Sequence, residues 1–149
     1  MEKEFSRVRS AKDITITATL IITGCILVAL PTSESINITG FFLIFTGLIL
    51  AFVLRTGYKD NETGERYCKV EKFFAQSLKS EITNALETSL KKLNLSEEDK
   101  GNGIRLDIYY SRKTGKSYSQ LFEYIPYKYE PCTGQYELET AEIESVIGK

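Results

Sequence analysis

Two uninterrupted apolar runs dominate the first third of the chain. The runs Ile14 to Leu30 and Ile38 to Leu54 contain no charged residue, and each is long enough to cross the hydrocarbon core of a bilayer as a helix. The link between them, Pro31 to Asn37, is so short that the two helices must run antiparallel. The pattern therefore predicts a transmembrane helical hairpin at 14–54, with spans 14–30 and 38–54.

Basic residues flank this hairpin on its outer sides only. The link carries a single charge, Glu34, whereas the outer flanks carry Lys3, Arg7, Arg9, Lys12, Arg55 and Lys59. Because Lys and Arg are enriched on the cytoplasmic side of membrane helices, residues 1–13 and the whole C-terminal part are expected in the cytoplasm. The sequence thus predicts a two-pass protein of the cytoplasmic (inner) membrane with both termini cytoplasmic.

A different interpretation of the first span starts from Ile22-Thr23-Gly24-Cys25, which fits a loose bacterial lipobox after a basic segment. Cleavage there would leave Cys25 lipidated. The apolar run continues from Ile26 to Leu30, where a mature lipoprotein usually becomes polar, so an intact first span is favoured.

Small residues recur along the second predicted span. Gly47 and Ala51 have the small-xxx-small spacing that lets membrane helices approach closely, and Gly40 lies two turns earlier. These residues can pack the two helices against each other, or they can also join copies of the chain. A homo-oligomer formed through Gly40, Gly47 and Ala51 is therefore one expected partner interaction, besides the lipid bilayer itself.

The segment after the hairpin changes from polar to amphipathic. Residues 55–66 are turn-rich and predict a juxtamembrane linker or a small hairpin. From Val70 to Leu93 the apolar positions have helical spacing, which predicts an amphipathic helix ending near Asn94. The start is open, because residues 65–74 could instead form an edge strand followed by a helix from Ser77.

Alternation of apolar and polar residues predicts strands in the last third. Strands are expected at Ile104 to Tyr110, Ser117 to Ile125 and Gln135 to Thr140, with a turn at Arg112 to Lys116. Residues 67–149 are thus predicted to be a cytosolic α+β domain, in which an amphipathic helix packs on an antiparallel meander of about three strands. Its core is expected to contain Ile82, Leu86 and Leu106.

Composition narrows the chemistry. The 149 residues have a formal net charge of −1 and no His, which argues against duplex DNA as a partner and removes every catalytic or metal site that needs His. Cys25, Cys68 and Cys132 lack metal-ligand spacing. Asp107 and Glu123 could pair as acid and base, but carboxylates that alternate with apolar residues on strands usually lie on the solvated face, and that interpretation is favoured. We expect no cofactor, no metal and no enzymatic activity.

The strand region is rich in tyrosine and locally basic. All nine tyrosines follow the predicted spans, and aromatic rings beside cations can stack on a base and hold phosphates. Tyrosines also simply fill small sheets, and basic turns near a membrane contact anionic headgroups. The predicted ligand-binding residues are Arg112, Lys113, Lys116, Tyr109 and Tyr118.

Two functional hypotheses follow. The first is a small integral membrane protein whose cytosolic module binds an anionic lipid, a nucleotide or a protein partner, without catalysis. The second rests on layout alone: two short spans and a compact cytosolic domain resemble, in outline, the membrane effectors of bacterial defence systems. That resemblance implies a domain that senses a nucleotide signal and spans that oligomerise to disrupt the membrane.

Overall fold

The computed structural model describes residues 2–31, 33–92 and 103–147. The chain divides into two compact units. We call Ser6–Tyr58 the helical unit, and Met1–Phe5 together with Lys59–Lys149 the sheet unit. The division falls inside strands β1 (Phe5–Val8) and β2 (Gly57–Asp60).

The helical unit consists of an antiparallel pair, α1 (Ala11–Ala29) and α2 (Glu34–Val53). Helix α1 begins before the apolar run because Ser10 and Asp13 form a capping box, in which each side chain accepts a hydrogen bond from the other residue's backbone N–H. Both helices are long and apolar enough to cross a membrane. The predicted pair of apolar antiparallel helices is confirmed, with each helix shifted by a few residues from its predicted bounds.

Glycines set the distance between α1 and α2. A Cβ atom on Gly24 would lie 2.6 Å from the carbonyl oxygen of Gly40, and one on Gly40 would lie 2.8 Å from the carbonyl oxygen of Gly24. A Cβ atom on Gly47 would lie 2.7 Å from Cγ1 of Ile21. Gly40 and Gly47 of α2 therefore pack against α1 within one chain, and the predicted role of Gly40, Gly47 and Ala51 between copies stays a prediction.

The sheet unit combines strands with short helices. Its two longer helical elements are α3 (Lys79–Thr88) and α4 (Thr140–Ile147), and short 3-10 turns lie at Gln76–Leu78 and Leu90–Lys92. Its further strands are β3 (Arg66–Phe74), β4 (Ile104–Tyr110), β5 (Lys116–Ile125), β6 (Lys128–Pro131) and β7 (Tyr136–Glu139). Helix α3 ends at Thr88, earlier than the predicted end near Asn94, a position that lies outside the described residues.

The prediction of about three strands is wrong. The described strands form a seven-stranded antiparallel sheet in the order β1-β2-β3-β4-β5-β6, and β7 also pairs with β5. The long strand β5 accommodates both partners on one edge, since Phe122 to Ile125 pair with β6 and Lys116 to Ser119 pair with β7. The three predicted strands correspond to β4, β5 and β7. The strands that were not among these three are β3 and the four-residue strands β1, β2 and β6.

Two open questions about residues 55–74 are resolved. Residues 57–60 form β2, which a tight turn joins to β3, with the Asp60 N–H donating to the Glu65 carbonyl at 2.9 Å. The small-hairpin alternative to a linker is thus the one that the structure shows. Residues 66–74 form strand β3, and the helix begins only at Lys79, close to the predicted alternative start at Ser77.

One face of the sheet carries the apolar core. Ile104, Leu106 and Ile108 of β4 and Leu121 of β5 are fully buried there. They pack with Ile82 and Leu86 of α3, Leu90 of the second 3-10 turn and Ile143 of α4. The predicted burial of Ile82, Leu86 and Leu106 is confirmed.

Candidate functional site

The β4–β5 turn, Ser111 to Gly115, presents the predicted basic residues. The Ser111 N–H donates to the Lys116 carbonyl and the Gly115 N–H donates to the Ser111 carbonyl, both at 2.9 Å. Gly115 has a φ of +71°, a left-handed conformation that glycine adopts without a steric penalty. The Thr140 N–H also donates to the Gly115 carbonyl at 2.8 Å. The first residue of α4 is therefore hydrogen-bonded to the turn.

The three predicted cations of this turn differ in their surroundings. Arg112 and Lys113 are exposed, and no carboxylate in the described part of the chain pairs with either of them. Lys116 instead forms an ion pair with Glu137, with Nζ 2.9 Å from Oε1, and this hydrogen bond raises the pKa of Lys116. Two cations, rather than three, are therefore available to an anionic ligand.

A groove beside the turn has the opposite charge. Lys116 is its single cation among the lining residues, whereas Glu137, Glu139 and Glu142 supply carboxylates. An anion is therefore repelled from the groove itself. The surface of the turn that carries Arg112 and Lys113 is the part that suits an anion.

Tyr109 and Tyr118 lie side by side in the register of β4 and β5, on the sheet face opposite the core. The ring of Tyr109 stacks on Phe5 with centroids 4.2 Å apart and planes inclined by 6°. Tyr118 is 6% exposed and its ring lies 5.8 Å from those of Phe5 and Tyr67. Packing within the protein thus uses nearly all of Tyr118 and the face of Tyr109 that Phe5 covers, and Lys69 Nζ also lies 5.4 Å from the centroid of the Tyr109 ring. A base that stacks on the covered face of Tyr109 must therefore displace Phe5.

The residues that hold Phe5 in place belong to the same unit. The backbone N–H of Lys3 donates to Oε1 of Gln135 at 2.6 Å, and Nε2 of Gln135 donates to the Lys3 carbonyl at 3.3 Å. Lys3 Nζ lies 3.3 Å from Oδ2 of buried Asp60. The segment before β1 is therefore bound across this face by backbone and side-chain contacts.

An ion cluster lies next to Tyr109 on the same face, and the sequence analysis missed it. Asp107 is 2% exposed, with its carboxylate 2.8 Å from Nζ of Lys69 and 2.7 Å from Nε of Arg105. Burial raises the pKa of Asp107, and the hydrogen bond from Lys69 opposes that rise. The Arg105 guanidinium also lies 4.7 Å from the ring centroid of Phe122 and 4.8 Å from that of Tyr129.

Asp107 and Glu123 do not form an acid and base pair. In the β4–β5 register Asp107 is opposite Gln120, whereas Glu123 is opposite Ile104, so the two carboxylates lie on opposite faces of the sheet. Glu123 pairs with Lys79, whose Nζ lies 2.5 Å from Oε2. Each carboxylate is thus held by its own cations, away from the other.

Cys132 is not an activated nucleophile. Cys132 is half-buried, its thiol donates to the Leu121 carbonyl at 3.4 Å, and burial raises the pKa of the thiol. A thiol with a raised pKa is protonated at neutral pH and is a poor nucleophile. Among the described residues, no group of three or more His, Cys, Asp or Glu is placed to hold a metal ion.

No family model, curated protein or solved structure matches this chain. Its function must therefore be inferred from its own side chains. The features that carry such an inference are an apolar helical hairpin, a packed α+β unit and a turn with two unpaired cations.

Proposed function

We propose that the chain is a two-pass membrane protein whose helical hairpin anchors a non-catalytic binding module to the cytoplasmic face of the bilayer. One observation carries the anchoring: the large apolar side chains of α1 and α2 are turned outward. Phe41, Phe42, Phe45 and Phe52 are 61% to 75% exposed. Exposure of this surface to water is unfavourable, since burying apolar area stabilises a structure by about 25 cal/mol per Å². In a bilayer the lipid acyl chains cover it.

Two other kinds of apolar helix fit less well. The core helix of a soluble protein buries its apolar side chains, whereas 17% of the most apolar stretch of α1 and 11% of that of α2 are buried. A cleaved signal sequence needs no fixed partner, whereas Gly24 and Gly40 bring α1 and α2 into backbone contact. Cleavage before Cys25 would also remove Asp13, which binds Thr56 beyond α2. An intact two-helix anchor is therefore the better hypothesis.

For the sheet unit we propose binding of a phosphate-bearing ligand at the β4–β5 turn. Arg112 and Lys113 are adjacent, exposed and without a carboxylate partner in the described residues, and Arg in particular binds phosphate oxygens with two parallel hydrogen bonds. The absence of His from the sequence and the raised pKa of Cys132 support binding rather than catalysis. The second hypothesis, a membrane-disrupting effector, requires the same ligand and in addition association of hairpins between copies.

The test uses the full chain in detergent and two soluble probes, adenosine triphosphate and a short single-stranded oligonucleotide. We expect the parent to bind at least one probe, and Arg112→Glu/Lys113→Glu to lose at least about tenfold in affinity, since the substitution reverses both charges that face the phosphates. Arg66→Glu/Lys91→Glu is the matched control, because it reverses two exposed cations elsewhere in the sheet unit.

The outcomes are distinct. Loss of binding in the turn variant alone supports the site. No binding by the parent, or equal loss in the control, overturns a soluble phosphate-bearing ligand at the turn and leaves an anionic lipid or a protein partner as the surviving classes. Comparison of the circular dichroism spectra confirms that each variant is folded before its affinity is compared.

A further inference from the structure

The two ends of the helical hairpin meet in a polar junction. Asp13, in the first turn of α1, accepts hydrogen bonds from the Thr56 N–H at 2.9 Å and the Thr56 hydroxyl at 2.7 Å. The Ser10 and Thr56 hydroxyls also share a hydrogen bond at 2.8 Å. A Cβ atom on Gly57 would lie 3.1 Å from the Val8 carbonyl oxygen. The chain segments before α1 and after α2 are therefore in direct contact.

This junction brings four cations together. Lys12 is the neighbour of Asp13 and Arg55 is the neighbour of Thr56, so the hydrogen bonds between Asp13 and Thr56 bring the backbones of Lys12 and Arg55 near each other. Arg9 lies between Val8 and Ser10, which contact Gly57 and Thr56, and Arg7 is two residues earlier in β1. We call Arg7, Arg9, Lys12 and Arg55 the basic collar.

The collar is charged and open to solvent. Its four side chains are exposed, and no carboxylate among the described residues forms an ion pair with them. The nearby carboxylate of Asp13 is 2% exposed, because its hydrogen bonds are made inside the junction. Arg7 additionally lies 6.0 Å from the ring centroid of Tyr58, and tyrosine is enriched where membrane proteins cross the bilayer surface.

Exposed apolar side chains begin directly beside the collar. Ile14, two residues after Lys12, is 53% exposed, and Val53, two residues before Arg55, is 71% exposed. At the other end of the hairpin, the link contains no Lys or Arg and a single acid, Glu34. The change from apolar to basic surface is therefore sharp and occurs at one end of the hairpin only.

We propose that the basic collar binds the headgroups of anionic phospholipids. The inference rests on the proposed membrane insertion and adds its lipid preference. A soluble anion would be attracted by the charge of the collar alone. A phospholipid would in addition place its acyl chains against the apolar surface next to the collar. Each Lys or Arg near an anionic membrane surface strengthens the attraction about fivefold, so four unpaired cations favour anionic over zwitterionic lipid strongly.

The experiment is native mass spectrometry of the full chain, released from detergent that contains equal amounts of phosphatidylglycerol and phosphatidylcholine. The measured quantity is the ratio of the two lipid-bound forms. We expect the parent to favour phosphatidylglycerol by at least about fivefold, and Arg9→Gln/Lys12→Gln/Arg55→Gln, which leaves Arg7 in the collar, to lower this ratio at least about fivefold.

Two controls separate charge in the collar from other effects. Arg66→Gln/Lys72→Gln/Lys91→Gln removes three cations from the sheet unit and should keep the parent ratio. Arg9→Lys/Arg55→Lys keeps the charge and should keep the lipid preference. Equal loss in the collar variant and the sheet-unit variant would overturn the collar, as would a preference that disappears when lysine replaces arginine.

Extraction of membranes with alkaline carbonate distinguishes this inference from the proposed function on which it rests. A parent chain that resists extraction but shows a lipid ratio near one overturns the collar and leaves the membrane anchor intact. A parent chain that is extracted overturns the anchor and the collar together. A parent that resists extraction and prefers phosphatidylglycerol, with the loss confined to the collar variant, supports both.

Discussion

The tyrosines of the strand region have different surroundings, although they look alike in the sequence. Tyr118 is buried, Tyr109 stacks on Phe5, and Tyr127 is 97% exposed at the β5–β6 turn. The stacking surface predicted at Tyr109 and Tyr118 is covered by a residue from the other end of the sequence. No local pattern reports such a contact, because Phe5 belongs to a short polar segment before the first span.

Tyr127 provides a test of backbone strain at a single residue. Its φ is +77°, and left-handed backbone costs a non-glycine residue roughly 1–2 kcal/mol. Since the ring is almost fully exposed, Tyr127→Gly removes little packing. We expect the free energy of unfolding of Tyr127→Gly to exceed that of the parent by about 1 kcal/mol. This figure already allows for the extra conformational entropy that glycine gives the unfolded chain.

The control for this substitution is the next residue. Lys128 begins strand β6 and, unlike Tyr127, does not have a positive φ, so Lys128→Gly should lower the free energy of unfolding by about 0.5–1 kcal/mol. Chemical denaturation followed by circular dichroism measures both. A destabilised Tyr127→Gly variant would show that the exposed ring makes a stabilising contact that outweighs the strain.

At the level of elements, the local periodicity of apolar residues identified helices and strands only where the pattern fitted one type of element and not the other. The α1–α2 hairpin, β4, β5 and β7 follow from the sequence. In β3 the apolar residues Val70, Phe73 and Phe74 have helical spacing, yet the segment pairs with β4 along its length, with Val70 opposite Ile108. Tertiary pairing therefore decides the conformation where the local pattern fits both elements.

The strands that the sequence missed are short. β1 and β6 have four residues each, too few for alternation to stand out. β2 is equally short and was expected only within the small-hairpin alternative for residues 55–66. The ion cluster around Asp107 was missed for a related reason. Its cation Lys69 belongs to β3 and meets Asp107 only through the β3–β4 pairing, which requires β3 to be recognised as a strand.

The core beneath α3 can be tested by truncation. Ile82 and Leu106 are fully buried and Leu86 is 2% exposed, so replacing any one of them by Ala should cost about 2–5 kcal/mol. Ile125→Ala is the control, because Ile125 is 40% exposed and should change stability by less than about 0.5 kcal/mol. Three core variants as stable as this control would contradict the packing of α3 on β4.

The α1–α2 interface can be tested by adding volume. A Cβ atom on Gly40 would already lie 2.8 Å from Cγ2 of Val28, so Gly40→Leu should destabilise the hairpin by about 1–3 kcal/mol or more. Phe42→Leu is the control, since Phe42 is 68% exposed. Thermal unfolding in detergent, followed through helical circular dichroism, compares them, and equal midpoints would contradict the glycine-mediated contact.

At the scale of the whole molecule, the proposed roles of the helical unit and the sheet unit follow from where apolar side chains are exposed. The helical unit exposes many large apolar side chains, whereas the described part of the sheet unit exposes Ile125 and Tyr127 and keeps its other large apolar side chains buried or half-buried. The charges agree with this division, because basic residues flank the hairpin at its open end and are absent from its link. The proposed anchor and orientation both depend on these two distributions.

The central claim is that the hairpin spans the bilayer with the sheet unit in the cytoplasm. The most direct measurement is labelling of intact cells with a maleimide that cannot cross membranes. Cys68, exposed in the sheet unit, should label only after lysis, whereas a Ser35→Cys substitution at the start of α2 should label in intact cells. Labelling of Cys68 in intact cells, or recovery of the chain in the soluble fraction, would contradict the account.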